Sequence, residues 1–536
     1  MDSILSISNH LRLSSLILLF SVFGCSQIKK LNPWSEKPSA VHNSVEDKKP
    51  KVIPNFGPTK KNMDGFVDIT EKVGLNINEA VAFNIVDLNH DGYSEIVVIP
   101  TYYSTPKVYF FDAKTMKYSQ NYELTLFDEF LRVSFVLFED FNKDGVIDML
   151  AIVANQKTEL AKIKPIIFQG ENKKGIIHFT KKTDWLSSPA HPTISAVPLD
   201  FNNDGFLDLY MGNWFYQTSL NTLPLADEFY LSDKKKLKPN NGLLLGEHDK
   251  DSNTGVYRNA RPTYGLSICD IDLNNRMDIL TAATGQYPNK LWLNRYSSKS
   301  QGYRFQDFGK ETHYSDDFKG RFTQRGGGRS FLGLCADYNN DGIWDVFMAE
   351  LNHNWDQETI DRSSLLTGST FSFPPKFFRT EYLSDAKDIN WNQADRRGIW
   401  ADFNNDGLLD LLVDNSGFPP HSKLILFEQL PDHSFEDKSV ILGLDITNPL
   451  NTVALDYNQD GKMDILSFQT DMRDKRIKKR AYLFKNNQVF LKKRAFRFFL
   501  EGDKSNRRGI GAVIYFRVKK LDLIQTKKQI VQYSYG

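Results

Sequence analysis

Seven times along the chain a nine-residue acidic loop recurs and runs directly into a short apolar, partly β-branched segment. The cleanest copies read Asp140-Phe-Asn142-Lys-Asp144-Gly145-Val-Ile-Asp148 and Asp402-Phe-Asn404-Asn-Asp406-Gly407-Leu-Leu-Asp410. The loops open at Asp87, Asp140, Asp200, Asp270, Asp337, Asp402 and Asp456, so successive starts lie 53, 60, 70, 67, 65 and 54 residues apart. A period in this range means units that are stacked or set around a ring, because one such unit cannot bury its apolar face alone.

The oxygens of the loops state what they hold. Positions 1, 3, 5 and 9 are Asp87, Asn89, Asp91 and Glu95 in the first copy, then Asp140, Asn142, Asp144 and Asp148 in the second. The third and fourth carry Asp200, Asn202, Asp204 and Asp208, then Asp270, Asp272, Asn274 and Asp278. The last three carry Asp337, Asn339, Asp341 and Asp345; Asp402, Asn404, Asp406 and Asp410; and Asp456, Asn458, Asp460 and Asp464. With a turn-forming Gly at position 6 and a backbone carbonyl at 7, each loop is an all-oxygen cage suited to a hard cation with about six to eight ligands. Calcium is the expected ion, up to seven per chain and structural in role. Magnesium keeps its waters, and zinc or copper would call for His or Cys, which the loops lack apart from His90.

An EF-hand begins with the same letters but needs a bidentate Glu at position 12 between two helices. Position 12 here is Val98, Ala151, Met211, Thr281, Met348, Val413 and Ser467, and the segments that follow read as short strands. The loops are therefore expected between strands. Seven units of about 60 residues make roughly 420 of the 536 residues, which fits an all-β, seven-bladed β-propeller better than an open solenoid, since a closed ring leaves no long strand edge. An aromatic share of 13% suits many short strands packed face to face. Phe66-Val-Asp68, Phe305-Gln-Asp307 and Phe435-Glu-Asp437 form a second echo, each preceding a new unit. The division is residues 1–24 as signal peptide, 25–63 as tether, 64–492 as propeller and 493–536 as a short C-terminal β module.

At the N-terminus an apolar stretch, Leu13 to Phe23, is too short to span a bilayer and ends in Val22-Phe23-Gly24-Cys25. This resembles a bacterial lipoprotein signal, with Cys25 as the lipidated first residue of the mature chain; an ordinary secretory peptide is the plainer alternative. Ser26 follows where a retention Asp would stand, which fits an outer-membrane lipoprotein facing the periplasm or the cell surface. Residues 26–63, rich in Lys, Pro, Ser and Asn without apolar periodicity, read as a flexible tether. Cys269 and Cys335 read as buried free thiols, with a disulfide between neighbouring units the alternative.

The loops, the Phe-x-Asp echoes and the segment Gly502-Asp-Lys-Ser-Asn506-Arg-Arg-Gly509-Ile-Gly511-Ala512-Val together resemble the FG-GAP and VCBS repeat proteins. More narrowly they are similar to the cartilage-acidic-protein-like group, which joins such a propeller to a C-terminal ASPIC/UnbV domain, shortened in this chain. The resemblance implies an exported or surface binding protein and a metal, not a reaction. In the fourth loop Asn275 and Arg276 depart from the pattern, and a nearby cation is expected to weaken that site.

No catalytic constellation is present: there is no His-Glu-x-x-His, no Gly-x-Ser-x-Gly and no strand-to-helix phosphate loop. Gly326-Gly327-Gly328 precedes a strand and reads as a turn between units. A strand of about five residues carries the chain roughly 17 Å, so the turns that follow should lie on the face opposite the metal. There Tyr102, Trp214, Tyr287, Trp355 and Phe418 recur in one register beside amide side chains. They form either a ligand-contacting face or covers for the unit edges. From Arg473 to Arg508 the chain carries 14 Lys and Arg against three acids, which reads as a solvated basic face or as a contact for anionic lipid or polysaccharide. Taken together, the expected protein is a monomeric, calcium-binding adhesion or binding module for protein or glycan. It meets the membrane through its lipid anchor and has no nucleic-acid partner. The alternative is a carbohydrate-active enzyme on the same scaffold, a polysaccharide lyase or sugar dehydratase.

Overall fold

The computed structural model describes residues 20–21, 56–59, 64–120, 131–154, 163–217, 222–315, 327–352, 362–369, 372–381, 393–489, 500–520, 523–530 and 534–535. Most of the expected signal peptide and tether, including Cys25, and the aromatic Trp355 lie outside these residues. The chain is all-β and built from antiparallel sheets, and among the described residues no helix is long and apolar enough to cross a membrane.

Each acidic loop joins the first two strands of a four-stranded antiparallel meander. In unit 1 the strands are Ala82–Val86, Glu95–Ile99, Lys107–Asp112 and Lys117–Gln120, hydrogen-bonded in that order. Unit 2 repeats the plan with Val133–Glu139, Asp148–Ala154, Ile163–Lys173 and Ile176–Lys182. Units 3 to 6 begin with Thr193–Leu199, Thr263–Cys269, Ser330–Ala336 and Gln393–Ala401. Unit 7 has only three consecutive strands, Pro449–Leu455, Asp464–Gln469 and Arg480–Asn486, and its fourth is supplied from the start of the chain by Phe66–Asp68. The register pairs Phe66 with Asn486 and Asp68 with Phe484. Around the molecule each first strand touches the first strand of the next unit, and that of unit 7 touches that of unit 1.

This arrangement explains why the first strands are buried along most of their length. Val133–Glu139 is buried at every residue. Phe135 and Leu137 enter the cluster built with unit 3, while Val136 and Phe138 enter the cluster built with unit 1. Successive side chains of a strand point to opposite faces, so a strand wedged between two sheets needs apolar residues on both.

Two features depart from the reading of the sequence. Cys269 and Cys335 are joined in a disulfide, with their Cα atoms 6.4 Å apart, and so are not free thiols. Cys269 ends the first strand of unit 4, Cys335 is the last residue but one of the first strand of unit 5, and these neighbouring strands touch, so the two sulfurs meet. Closing a loop of 66 residues stabilises a fold by about 4 kcal/mol in chain-entropy terms. Phe56–Thr59, within the stretch read as tether, are held against unit 7. The Phe56 carbonyl accepts the Thr447 N–H at 3.0 Å, and the Asp445 carboxylate accepts the Thr59 N–H at 3.0 Å. Two further short strands, Phe20–Ser21 and Ser534–Tyr535, pair with the first strands of units 1 and 4.

Candidate calcium loops and the opposite face

One internal bond, from the position-6 N–H to Oδ2 of position 1, recurs in all seven loops, and four loops carry a fuller set. In unit 2 the Asp144 N–H donates to Asp140 Oδ1 at 3.1 Å and to Asn142 Oδ1 at 2.8 Å, and the Gly145 N–H donates to Asp140 Oδ2 at 2.8 Å. Units 3, 6 and 7 reproduce this set, so the oxygens of positions 1 and 3 meet over the backbone of position 5. The winding needs two left-handed residues per loop. Position 6 is Gly in six copies, with φ from 82° to 91°, and Asn275 takes the same region at 63° in unit 4. Position 4 is also left-handed in all seven, at His90, Lys143, Asn203, Leu273, Asn340, Asn405 and Gln459.

Position 9 has a second task that sequence reasoning did not find. The Oδ2 of Asp148 accepts the Phe141 N–H at 3.1 Å, and its Oδ1 accepts the Gly170 N–H from the third strand at 2.9 Å. The same clasp recurs in unit 3 through Asp208 to Ser232, in unit 6 through Asp410 to Gln429 and in unit 7 through Asp464 to Asn486. These carboxylates are 0 to 1% exposed, so each ties the loop to the sheet with no water competing. Burial pushes Glu95, Asp148, Asp345 and Asp410 up to about 8, and the charges at positions 1 and 5 push the same way. Clustered anions that repel one another through a poorly solvated interior are stabilised by a cation. In unit 1, Asp87 Oδ1 is buried and accepts no hydrogen bond, which leaves an oxygen for that cation. The donor set therefore fits calcium, held by positions 1, 3, 5 and 9, which would supply the positive charge that lets these carboxylates ionise together.

The C-terminal motif lies across these loops. Ile510, 3% exposed, joins the apolar cluster that contains Phe141, Phe201, Leu207 and Met277, residues of loops 2, 3 and 4. Asn506 clamps it on both sides: Oδ1 accepts the Ile510 N–H at 2.7 Å and Nδ2 donates to the Ile510 carbonyl at 2.8 Å. Lys143 of loop 2 donates to the Lys504 carbonyl at 3.0 Å. A Cβ on Gly205 of loop 3 would fall 2.1 Å from that same carbonyl oxygen, so the docking selects glycine there as firmly as the left-handed turn does. Glu139 stands where the other six units carry Val86, Leu199, Cys269, Ala336, Ala401 and Leu455, and Arg508 of the motif reaches it at 3.7 Å.

At the other end of the first strands a bulge opens each pairing with the second strand in units 2 to 6. The extra residues, among them Ile194, Tyr264, Phe331 and Arg396, are thereby re-aimed. Ile194, Tyr264, Phe331, Ala394 and Phe418 gather in one cluster, with Trp214 and Leu351 packed on it. Tyr264 meets Phe331 edge-on at 4.5 Å and Trp214 at 5.7 Å. Phe215 links Trp214 at 5.3 Å to Tyr287 at 6.3 Å. Guanidinium groups cover the rim: Arg396 lies 4.9 Å from the Phe331 ring, and Arg473 lies 4.4 Å from the Phe418 ring. Of the expected aromatic face, Trp214, Tyr287 and Phe418 thus converge, Tyr102 sits half-buried in unit 1, and Trp355 is outside the described residues. Tyr264 and Phe331 were missed, because only the bulges bring them here.

A buried polar network joins units 3 and 4 near this end. The Asp227 carboxylate accepts Tyr210 Oη and Thr263 Oγ1, each at 2.6 Å, and the Asn213 N–H at 2.9 Å. The Asp227 N–H donates to Glu247 at 3.0 Å, Glu247 pairs with Lys290, and His248 meets the Asp227 carbonyl at 2.7 Å. Burial first, and then the Glu247 charge, push Asp227 up to about 7 against the pull of Lys290. A carboxyl group whose folded pKa lies above its unfolded value stabilises the fold while protonated, and that contribution fades as pH rises through the folded value. In excess calcium, the stability of Asp227→Asn relative to the parent is therefore expected to improve by about 1 kcal/mol per pH unit between pH 5 and 7. Urea titrations at several pH values measure this, and a pH-independent difference would place the proton elsewhere. Nearby, His191 Nδ1 lies 3.5 Å from Glu228, whose Oε2 accepts Tyr230 Oη at 2.9 Å. A carbohydrate-cleaving alternative would have to draw on such a set.

Residues 402–467 match the FG-GAP-like repeat family. No curated protein matches the chain in sequence. Among solved structures it is similar to an Agrocybe aegerita lectin that recognises non-reducing terminal N-acetylglucosamine, at 15% identity and TM-score 0.42 over 70% of this chain and 83% of that one. A rhamnogalacturonan lyase matches at 12% identity and TM-score 0.29, over 82% of this chain and 76% of the lyase. A V. cholerae biofilm matrix protein matches at 12% identity and TM-score 0.22, over 76% of each.

Proposed function

We propose that this chain is an exported, lipid-anchored β-propeller of seven blades, closed by its N-terminal strand, that holds calcium in its loops and binds protein or glycan without catalysis. The closed ring is supported by the seven meanders, by the contact of each first strand with the next, and by Phe66–Asp68 completing unit 7. Export and anchoring at Cys25 rest on the lipobox-like tetrad, and the Cys269–Cys335 disulfide suits an oxidising compartment. The Gly502–Val513 motif is read as a shortened ASPIC/UnbV-like element of the cartilage-acidic-protein-like group, here used to cover loops 2 to 4.

The single observation that carries the binding role is the convergence of Trp214, Tyr264, Phe331 and Phe418 at the end of the strands away from the loops. Bulged residues from consecutive units meet there, with arginines over the rings, and such rigid amphipathic surfaces stack on sugar rings or anchor a protein. Among the described residues most of the basic run is paired with acids, as in Arg480 with Asp68 and Lys485 with Asp460, which favours a solvated face over a second binding site.

Glycan and protein arrays probed with the mature chain test the reading. A ligand found this way is expected to bind about 10 to 100 times more weakly to Trp214→Ala, with melting unchanged. Undiminished binding by that variant, or turnover of a polysaccharide by the parent chain, would rule the reading out.

A further inference from the structure

Unit 4 differs from the other six in what stands over its loop. We infer that the Arg295 guanidinium takes the place of the metal in the fourth loop, so that the chain carries six calcium sites and one arginine-stapled loop. This rests on the reading that the other loops bind calcium. The oxygens of Asp270, Asp272 and Asp278 lie within 4.8 Å of one another, and the carboxylates are those a cation would bridge. In this loop alone position 3 is Asp and position 5 is Asn, the reverse of the other six. The exchanged carboxylate, Asp272, is the one Arg295 engages, Nη1 to Oδ2 at 2.5 Å, and the Asp272 side chain is only 2% exposed.

The position of Arg295 can be compared across units because the position-9 clasp sets a common register. Asn294 donates its N–H to Asp278 as Gly170, Ser232, Gly368, Gln429 and Asn486 do to their own position-9 carboxylates. The residue after the donor is Arg295 in unit 4, but Glu171, Asp233, Ser369, Leu430 and Asn487 in units 2, 3, 5, 6 and 7, and Asp112, after the Phe111 that bonds Glu95, in unit 1. A cation at this register therefore occurs in unit 4 only; Lys485, one residue before the donor in unit 7, reaches the position-5 carboxylate of Asp460 at 3.3 Å, whereas Arg295 engages position 3. It is also held in place: Phe373 lies under the guanidinium at 3.8 Å. A guanidinium fixed by a carboxylate and a ring brings one positive charge to the loop without dehydrating a free ion.

Arg276, the cation expected from the sequence to weaken this site, is engaged outside the loop. Its guanidinium lies 3.4 Å from the Tyr303 ring, and its Nη1 donates to the Phe201 carbonyl of loop 3 at 3.1 Å. It ties loop 4 to loop 3, while Arg295, which no spacing rule singles out, faces the carboxylates. A divalent ion placed among Asp270, Asp272 and Asp278 would sit a few ångströms from the Arg295 charge, and at that range repulsion costs orders of magnitude in affinity.

The test is the number of calcium ions retained per chain, by equilibrium dialysis against calcium followed by metal analysis, for the parent chain, Arg295→Met and Arg295→Asn. The second variant places at 295 the residue type found at Asn487 in unit 7. The expected result is six ions for the parent and seven for each variant that melts cooperatively. A second reading comes from chelator: without calcium the variants should melt lower than the parent, and with calcium the gap should close. Seven ions on the parent, or six on both variants, overturns the inference while leaving the calcium reading standing. No retained calcium on any of the three overturns both.

Discussion

Removing calcium from the folded chain is expected to lower its melting temperature by roughly 10 °C. Ions that bind the folded state alone stabilise it by RT ln(1 + [L]/Kd), so a site of Kd about 10⁻⁴ M at about 2 mM calcium contributes roughly 2 kcal/mol. Six such loops contribute roughly 11 kcal/mol, and a folded chain of this length has an unfolding entropy of about 1 kcal/mol per kelvin. The structure adds a reason for the size of the effect. The position-9 carboxylates are fully buried clasps whose ordinary ionisation is opposed by burial and by the charges at positions 1 and 5. Without the ion they must either stay protonated or repel. Scanning calorimetry with chelator, followed by addition of calcium and, separately, magnesium, measures this. Recovery with calcium alone is expected; a melting temperature indifferent to chelator would mean the clasps and the disulfide suffice.

The second large effect is expected from a chain that begins at Leu75, without the strand that completes unit 7. Residues 66–77 strap unit 7 to unit 1. Phe66 pairs with Asn486 and packs 6.3 Å from Phe403, the Ile69 N–H donates to the Leu483 carbonyl, and Thr70 Oγ1 accepts the Leu483 N–H. On the other side the Val73 carbonyl accepts the Tyr118 N–H of unit 1 at 2.8 Å. Phe66, Ile69 and Val73 are all buried, and removing each forfeits about 2 kcal/mol of apolar burial. The lost ladder of unit 7 adds to this and leaves Arg480–Asn486 as an open edge. The total approaches the whole stability of an ordinary domain, so the shortened chain is expected to be aggregated or non-cooperative in urea unfolding, with Phe66→Ala alone costing about 3 to 5 kcal/mol. A shortened chain as stable and monomeric as its parent would show that units 7 and 1 hold together without this strand.

What could be read from residues alone was whatever depends on local spacing. The loops were legible because positions 1, 3, 5, 6 and 9 must face one point within nine residues, and the strands after them because they alternate or run apolar. Asn275 was legible as a left-handed residue for the same local reason. The aromatic register was partly legible: Trp214 and Phe418 meet in one cluster and Tyr287 is linked to it through Phe215, but their partners Tyr264 and Phe331 do not, in sequence, stand out from strand residues. The bulges that turn them are set by pairing between strands.

The arginines show the limit most clearly. By sequence distance Arg276 belongs to loop 4 and Arg295 does not, yet Arg276 leaves the loop for Phe201 and Tyr303 while Arg295 returns from the third strand to Asp272. The cysteines behave alike: 66 residues separate Cys269 from Cys335, and only the contact of two first strands joins them. The repeat, the winding of the loops and the strand class were determined by the sequence itself, since they rest on covalent spacing and backbone conformation. The pairing of charges, the disulfide, the docking of Ile510 across three loops and the supply of the last strand from the first residues were decided by tertiary structure. Each depends on a distance between chain-remote groups, and such distances exist only once the sheets have packed.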